Sequence, residues 1–193
     1  MRRLVAMLED AGGLDGVAGA LWRVARATVG RGRVGSALHG VWYGHPLHPA
    51  VVHAPVGAWL SAAVLDAAPD RDTPGARRAA ALLVGTGTVA ALPAAVTGWS
   101  DYATLTRRQR RVAVVHAAAN VTAAGLYAVS LAARLGGAHR LGRVLSYAGL
   151  GVAGTGAYLG GHLAFHLADI PEPVLPPAVV ADHTAEAARG GRM

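Results

Sequence analysis

Charge is missing from this chain in four long blocks. No Asp, Glu, Lys or Arg lies between Arg33 and Asp66, Arg78 and Asp101, Arg111 and Arg134, or Arg143 and Asp169. Each gap holds the roughly 20 apolar residues needed to cross the hydrocarbon core of a bilayer. The pattern predicts an all-α fold: a four-helix transmembrane bundle, up-and-down, with an N-terminal amphipathic helix. Spans are expected at about 49–68, 79–99, 112–133 and 144–167.

Composition agrees. The chain is 53% hydrophobic and only 15% charged, against about 25% charged in ordinary soluble domains. Glycines recur inside the spans, at Gly85, Gly87, Gly149, Gly151, Gly154 and Gly156, where small residues let helix backbones approach closely. Pro55 and Pro93 are expected to open or kink their helices. Three regions follow: an interfacial segment over 1–38, a transmembrane domain over 39–168, and a Pro-rich tail over 169–193 that is expected to be disordered.

The net charge of +7 is carried by arginine alone, since the chain has no lysine. A strongly basic chain invites a nucleic-acid reading. Here the arginines flank apolar segments, where they orient helices and meet anionic headgroups, so the partner expected is a lipid bilayer and not nucleic acid. Four spans put both termini on one side. On that side the N-terminal tail and the connection between the second and third spans carry ten arginines (Arg2, Arg3, Arg23, Arg26, Arg31, Arg33, Arg107, Arg108, Arg110, Arg111); the other side carries six (Arg71, Arg77, Arg78, Arg134, Arg140, Arg143). The positive-inside rule then places both termini in the cytoplasm. Richness in Ala, Gly, Val and Arg suggests a bacterial source, hence the plasma membrane of a bacterium.

Within 1–38, Leu14, Val17, Leu21 and Val24 recur at helical spacing beside Arg23, Arg26 and Trp22. Two placements stay open: a helix lying in the membrane interface, or one packed on its own bundle.

Chemistry has few carriers. With no cysteine, disulfides, thiolate nucleophiles and cysteine-held metals are excluded. No phosphate loop, nucleophile elbow or HExxH motif is present, which argues against a stand-alone enzyme. What remains is histidine. Six of the nine, His45, His48, His53, His116, His162 and His166, fall at the start of the first and third spans and the end of the fourth, so antiparallel threading gathers them at one end of the bundle. Neutral imidazole is a good ligand for zinc, copper, iron and haem. A haem b would take axial ligands from different helices, His53 or His116 facing His162 or His166. A compact metal site would instead use His162 and His166, one helical turn apart, with His116 or His48. Asp101 and Asn120 are candidates to orient these imidazoles. Asp66 reads as a solvated interface residue or a partner of Arg77 or Arg78. His39, His139 and His183 are given no role. Two other readings remain: a cofactor-free scaffold that binds partners, a redox protein or a second copy among them, and a small transporter working through histidine protonation.

His45-Pro46-Leu47-His48-Pro49, then Val52-His53-Ala54-Pro55-Val56-Gly57 and Leu65-Asp66, form a recognisable pattern. Thr97-Gly98-Trp99-Ser100-Asp101, His116 with Asn120, and Gly160-Gly161-His162 follow in order. Over about 40–168 the chain resembles a bacterial membrane family, the domain of unknown function 2231. The resemblance implies four membrane helices. Some relatives carry an attached Rieske-type iron–sulfur domain, which implies a link to electron transfer.

Overall fold

The computed structural model describes residues 2–29 and 32–165. Among these the regular structure is helical throughout. Three helices form the N-terminal part, α1 (Arg2–Glu9), α2 (Asp15–Thr28) and α3 (Gly32–His39). A short helix, α4 (Leu47–Val51), leads into α5 (His53–Ala67), and three long helices follow: α6 (Pro74–Tyr102), α7 (Arg107–Leu135) and α8 (His139–Phe165).

The boundaries have local causes. Thr73 precedes Pro74 and accepts from the Ala76 amide at 3.3 Å; a hydroxyl cap followed by proline is a strong helix start. Thr106 and Gln109 form a reciprocal capping box at α7. Gly40, at φ +80°, turns the chain between α3 and α4, and a Cβ there would collide with the His45 carbonyl, so only glycine fits. Val52 joins α4 to α5 in helical geometry, its amide donating to the His48 carbonyl at 3.1 Å. Pro93 does not end α6, which runs on to Tyr102.

The helices overrun the expected spans because Arg77, Arg78 and the Arg107–Arg111 cluster are themselves helical. Charge-free gaps mark what can sit in hydrocarbon, not where a helix stops. The segments Leu47–Ala67, Pro74–Tyr102 and Arg107–Leu135 are long and apolar enough to cross a membrane. The 27-residue α8 is not among them; its glycines dilute its hydropathy.

The long helices pack in a ring, α5 on α6, α6 on α7, α7 on α8, and α8 back on α5. At its centre Trp59 and Tyr127 stack with ring centroids 4.1 Å apart and planes 4° from parallel. Outward positions such as Val64, Leu82, Val89, Leu92 and Val121 are exposed, the pattern of helices solvated by lipid. The N-terminal helices rest on one end of this ring, α1 on α7, α2 on α6 and α7, and α3 on α6.

Candidate functional site

Two of the six histidines come together. His48 reaches inward from α4 and His116 from the third turn of α7, with ring centroids 6.3 Å apart and planes at 85°. Each is held the same way. His48 Nδ1 lies 2.8 Å from the Ala94 carbonyl, and His116 Nδ1 lies 2.8 Å from the Gly156 carbonyl. A carbonyl only accepts, so Nδ1 carries the proton in each neutral ring and Nε2 keeps the lone pair. Glycine makes the approach feasible: a Cβ at Gly98 would stand 2.8 Å from His48 Cε1, and one at Gly160 2.9 Å from His116 Cε1.

The neighbours are polar but sparse. The Thr97 hydroxyl lies 3.4 Å from His48 Nδ1 and also reaches the Pro93 and Ala94 carbonyls at 3.0 Å. Asn120 shares the face of His116, as its spacing of four predicts. Its Nδ2 donates to the His116 carbonyl at 2.8 Å rather than across to another helix. That nitrogen is 3.3 Å from His116 Nδ1 and 3.2 Å from Nε2. Near-equal distances to both ring nitrogens put it off the in-plane lone-pair direction of Nε2.

The other candidates lie elsewhere. His53 is exposed and turns back to the Ala50 carbonyl at 3.2 Å. His45 is exposed, its ring 6.1 Å from Tyr43. His162 Nε2 meets the Glu9 carboxylate of α1 at 2.5 Å. His166 lies outside the described residues, as does the 169–193 tail. Asp101 does sit against an imidazole, but that of His39, at 2.9 Å, a residue to which no role was assigned. Among the described residues no three His, Asp or Glu side chains gather closely enough to hold a metal. His48 and His116 are therefore the candidate ligands that the fold brings together.

From the sequence His53 rather than His48 is expected among the haem ligands, yet His48 is half-buried with its ring on the Ala94 carbonyl of α6, and His53 is exposed. The expectation for Asp66 is corrected. It is buried, not solvated, and its partner is Arg134, not Arg77 or Arg78. The guanidinium lies against both carboxylate oxygens, with Arg134 Nη1 3.0 Å from Oδ1, and donates to Ser130 at 3.2 Å and Ser146 at 3.1 Å. Arg77 pairs instead with Asp72 at 3.1 Å, as does Arg143 at 2.8 Å; Arg143 first, then Arg77, hold the Asp72 carboxyl below its usual range.

The N-terminal helices pack on one end of the bundle through the arginines of the first turns of α7. Arg111 grips Asp15 with Nε and Nη2 at 2.7 and 2.8 Å, and Arg107 adds a contact at 2.6 Å. These two cations, Arg111 foremost, hold Asp15 well below the usual carboxylate range. Glu9 is buried and takes Arg108 at 2.6 Å besides His162. Trp22 donates to the Ala103 carbonyl at 2.9 Å and lies under Arg110, 3.8 Å from the ring centre. The open choice for this segment thus resolves toward packing on its own bundle.

The comparisons fit this architecture. No curated protein and no solved structure matches the chain. A family model described as a predicted membrane protein (DUF2231) matches residues 44–168, from the turn before α4 to just beyond α8 and so across both histidines of the pair. The chain belongs to that family of predicted membrane proteins.

Proposed function

We propose that this protein is an integral membrane module that holds one metal centre, a haem iron or a single transition-metal ion, between His48 and His116. The convergence of two imidazoles whose Nδ1 atoms are both tied to backbone carbonyls carries the reading. Such carbonyl contacts fix the tautomer and aim Nε2 in known metal sites. His48 and His116, whose ring centroids are 6.3 Å apart, would hold the metal through Nε2, and the metal would supply Lewis-acid or one-electron chemistry there. His48 replaces His53, and neither His162 nor His166 is needed. Where the metal is redox-active, the role that follows is one-electron exchange with a protein partner at the membrane surface.

In the same reading α8 is the fourth span. It packs along α7 and closes the ring onto α5, and its glycines face neighbours rather than lipid at Gly142, Gly149, Gly156 and Gly160. Both termini then share the arginine-rich side, and the positive-inside rule puts that side in the cytoplasm.

The test replaces His48 and His116 by asparagine, one at a time. Asparagine can still donate to the Ala94 or Gly156 carbonyl but is a poor metal ligand, so the structural role is kept and the ligand removed. Optical spectra, oxidised and reduced, and metal analysis are taken on detergent-purified protein from cells supplied with haem and metals. The expected result is one equivalent bound to the native chain and to His53→Asn, and loss from His48→Asn and from His116→Asn. A folded native protein free of haem and metal refutes the proposal and leaves a cofactor-free scaffold.

A further inference from the structure

The histidine pair is one of several places where the chain meets its own double. An offset of 68 residues carries His48 to His116, Trp59 to Tyr127 and Asp66 to Arg134, and these are three pairs in mutual contact. An offset of 62 carries Gly87 to Gly149, Ala94 to Gly156 and Gly98 to Gly160. The six-residue difference lies in the turn between Asp66 and Ala80, longer than that between Arg134 and Gly142.

Contacts within the two halves correspond. A Cβ at Gly87 would meet Trp59 at 2.5 Å and the Pro55 carbonyl at 3.2 Å; one at Gly149 would meet Tyr127 at 3.0 Å and the Ala123 carbonyl at 3.5 Å. Pro55 and Ala123 are themselves 68 apart. Contacts between the halves correspond with large and small exchanged. Leu131 of α7 stands over Gly85 of α6, 3.6 Å from where its Cβ would be. The counterparts are Ala63 of α5 and Tyr147 of α8, and the Tyr147 hydroxyl reaches the Ala63 carbonyl at 3.2 Å. Residues that touch their own counterparts must lie on a two-fold axis.

We propose that the four-helix unit is a fused dimer of one helical hairpin, α4–α5–α6 and α7–α8, and that the cluster around Asp66 and Arg134 makes each hairpin accept the other as its partner. The axial face of one hairpin is then an interaction surface built for a second hairpin of the same kind. Pairing of like with like between two copies of the chain would set buried Asp66 against Asp66 and Arg134 against Arg134, which burial forbids. The surroundings have diverged in step with the charges. Arg134 is served by Ser130 and Ser146, and Gly142 leaves room for its stem, which a Cβ would meet at 2.5 Å. The equivalents around Asp66 are Ala62, Val84 and Ala80. This inference does not rest on the metal reading.

The test exchanges the cluster between hairpins in the full chain. The charge exchange alone, D66R with R134D, puts arginine where Ala80 stands and no hydroxyls wait. It is expected to be lost from the membrane fraction. Adding A62S, V84S and A80G with S130A, S146V and G142A moves the whole cluster. That chain is expected to accumulate and to melt in detergent within a few degrees of the native protein. If it fares no better than the charge exchange, the hairpins are not equivalent and the proposal is overturned. Cysteine pairing provides a check that needs no exchange, since the native chain has no cysteine. A62C with S130C is expected to form an internal disulfide on mild oxidation, whereas A62C with V121C, on the exposed side of α7, is not. Absence of the 62–130 bridge in folded protein overturns the proposal as well.

Discussion

Gly87→Ala is the substitution whose cost is set most directly by the geometry. The added methyl would stand 2.5 Å from Cδ1 and Nε1 of Trp59 and 3.2 Å from the Pro55 carbonyl. Trp59 cannot retreat without leaving the Tyr127 ring stacked 4.1 Å from it. Overpacking a closed core costs about 1–3 kcal/mol, and loss of an aromatic stack adds about 0.5–1.5 kcal/mol. Helix propensity, worth about 1 kcal/mol for Gly→Ala in water, offsets little here, because helices in lipid persist in the unfolded state. The net expectation is a destabilisation of about 2–4 kcal/mol. The equivalent Gly149→Ala should cost less, about 1–2 kcal/mol, since its methyl would stand 3.0 Å from a ring edge. Gly151→Ala and Gly154→Ala, with nothing within 4 Å, should fall within about 0.5 kcal/mol of native. Denaturation of the purified protein in mixed micelles, followed by near-UV circular dichroism, gives these differences. Equal stability of Gly87→Ala and Gly151→Ala would refute the reasoning, because it would mean that the Trp59 ring is not clamped.

Two further outcomes follow. Arg134→Ala strands the buried Asp66 carboxylate and should destabilise by about 3–5 kcal/mol in the same denaturation assay; a change below 1 kcal/mol would mean that the pair is solvated. Asp15 titrates below its unfolded value of about 3.9, so its contribution to docking α2 on α7 is complete above that value and fades as pH falls through the folded one. Limited trypsin cleavage after Arg23 or Arg26 cannot be run in acid, so pepsin at graded pH is the probe, and release of the 1–29 segment should rise below about pH 4. Asp15→Asn should show that release already at neutral pH, where trypsin cleaving after Arg23 or Arg26 is the probe.

Three of the four expected spans coincide with helices long and apolar enough to cross a membrane, because arginine and aspartate are expensive in hydrocarbon and so mark its edges. That logic fails for the charges that enter. Asp66 and Arg134 bound charge-free gaps and were read as edge residues, yet together they are buried, at 5% and 4% exposure. A charge gap records the cost of an unpaired ion and is blind to a paired one. The same holds for Glu9, which is buried between His162 and Arg108. Six histidines were expected at one end of the bundle, and among the described residues the fold brings His48 and His116 together; choosing between His48 and His53 needs helical phase, which charge and hydropathy patterns do not carry.

One signal for the centre was present in the sequence as spacing. His48 precedes Trp59 by 11 residues and Asp66 by 18, and His116 precedes Tyr127 by 11 and Arg134 by 18. The two halves can therefore be compared with each other. At the axis Trp59 faces Tyr127, where any flat ring stacks, and Asp66 faces Arg134, where opposite charge is required. Pro55 and Ala123 lend only backbone. Histidine alone stands unchanged at both equivalent axial positions. Holding the Ala94 or Gly156 carbonyl does not require it, since an amide or hydroxyl donor would serve. What an amide or hydroxyl does not supply is a second ring nitrogen with a free lone pair directed away from that carbonyl. The persistence of imidazole on both sides of the axis, where Trp59 faces Tyr127 and Asp66 faces Arg134, supports the proposed site at His48 and His116 over one at the buried ion pair.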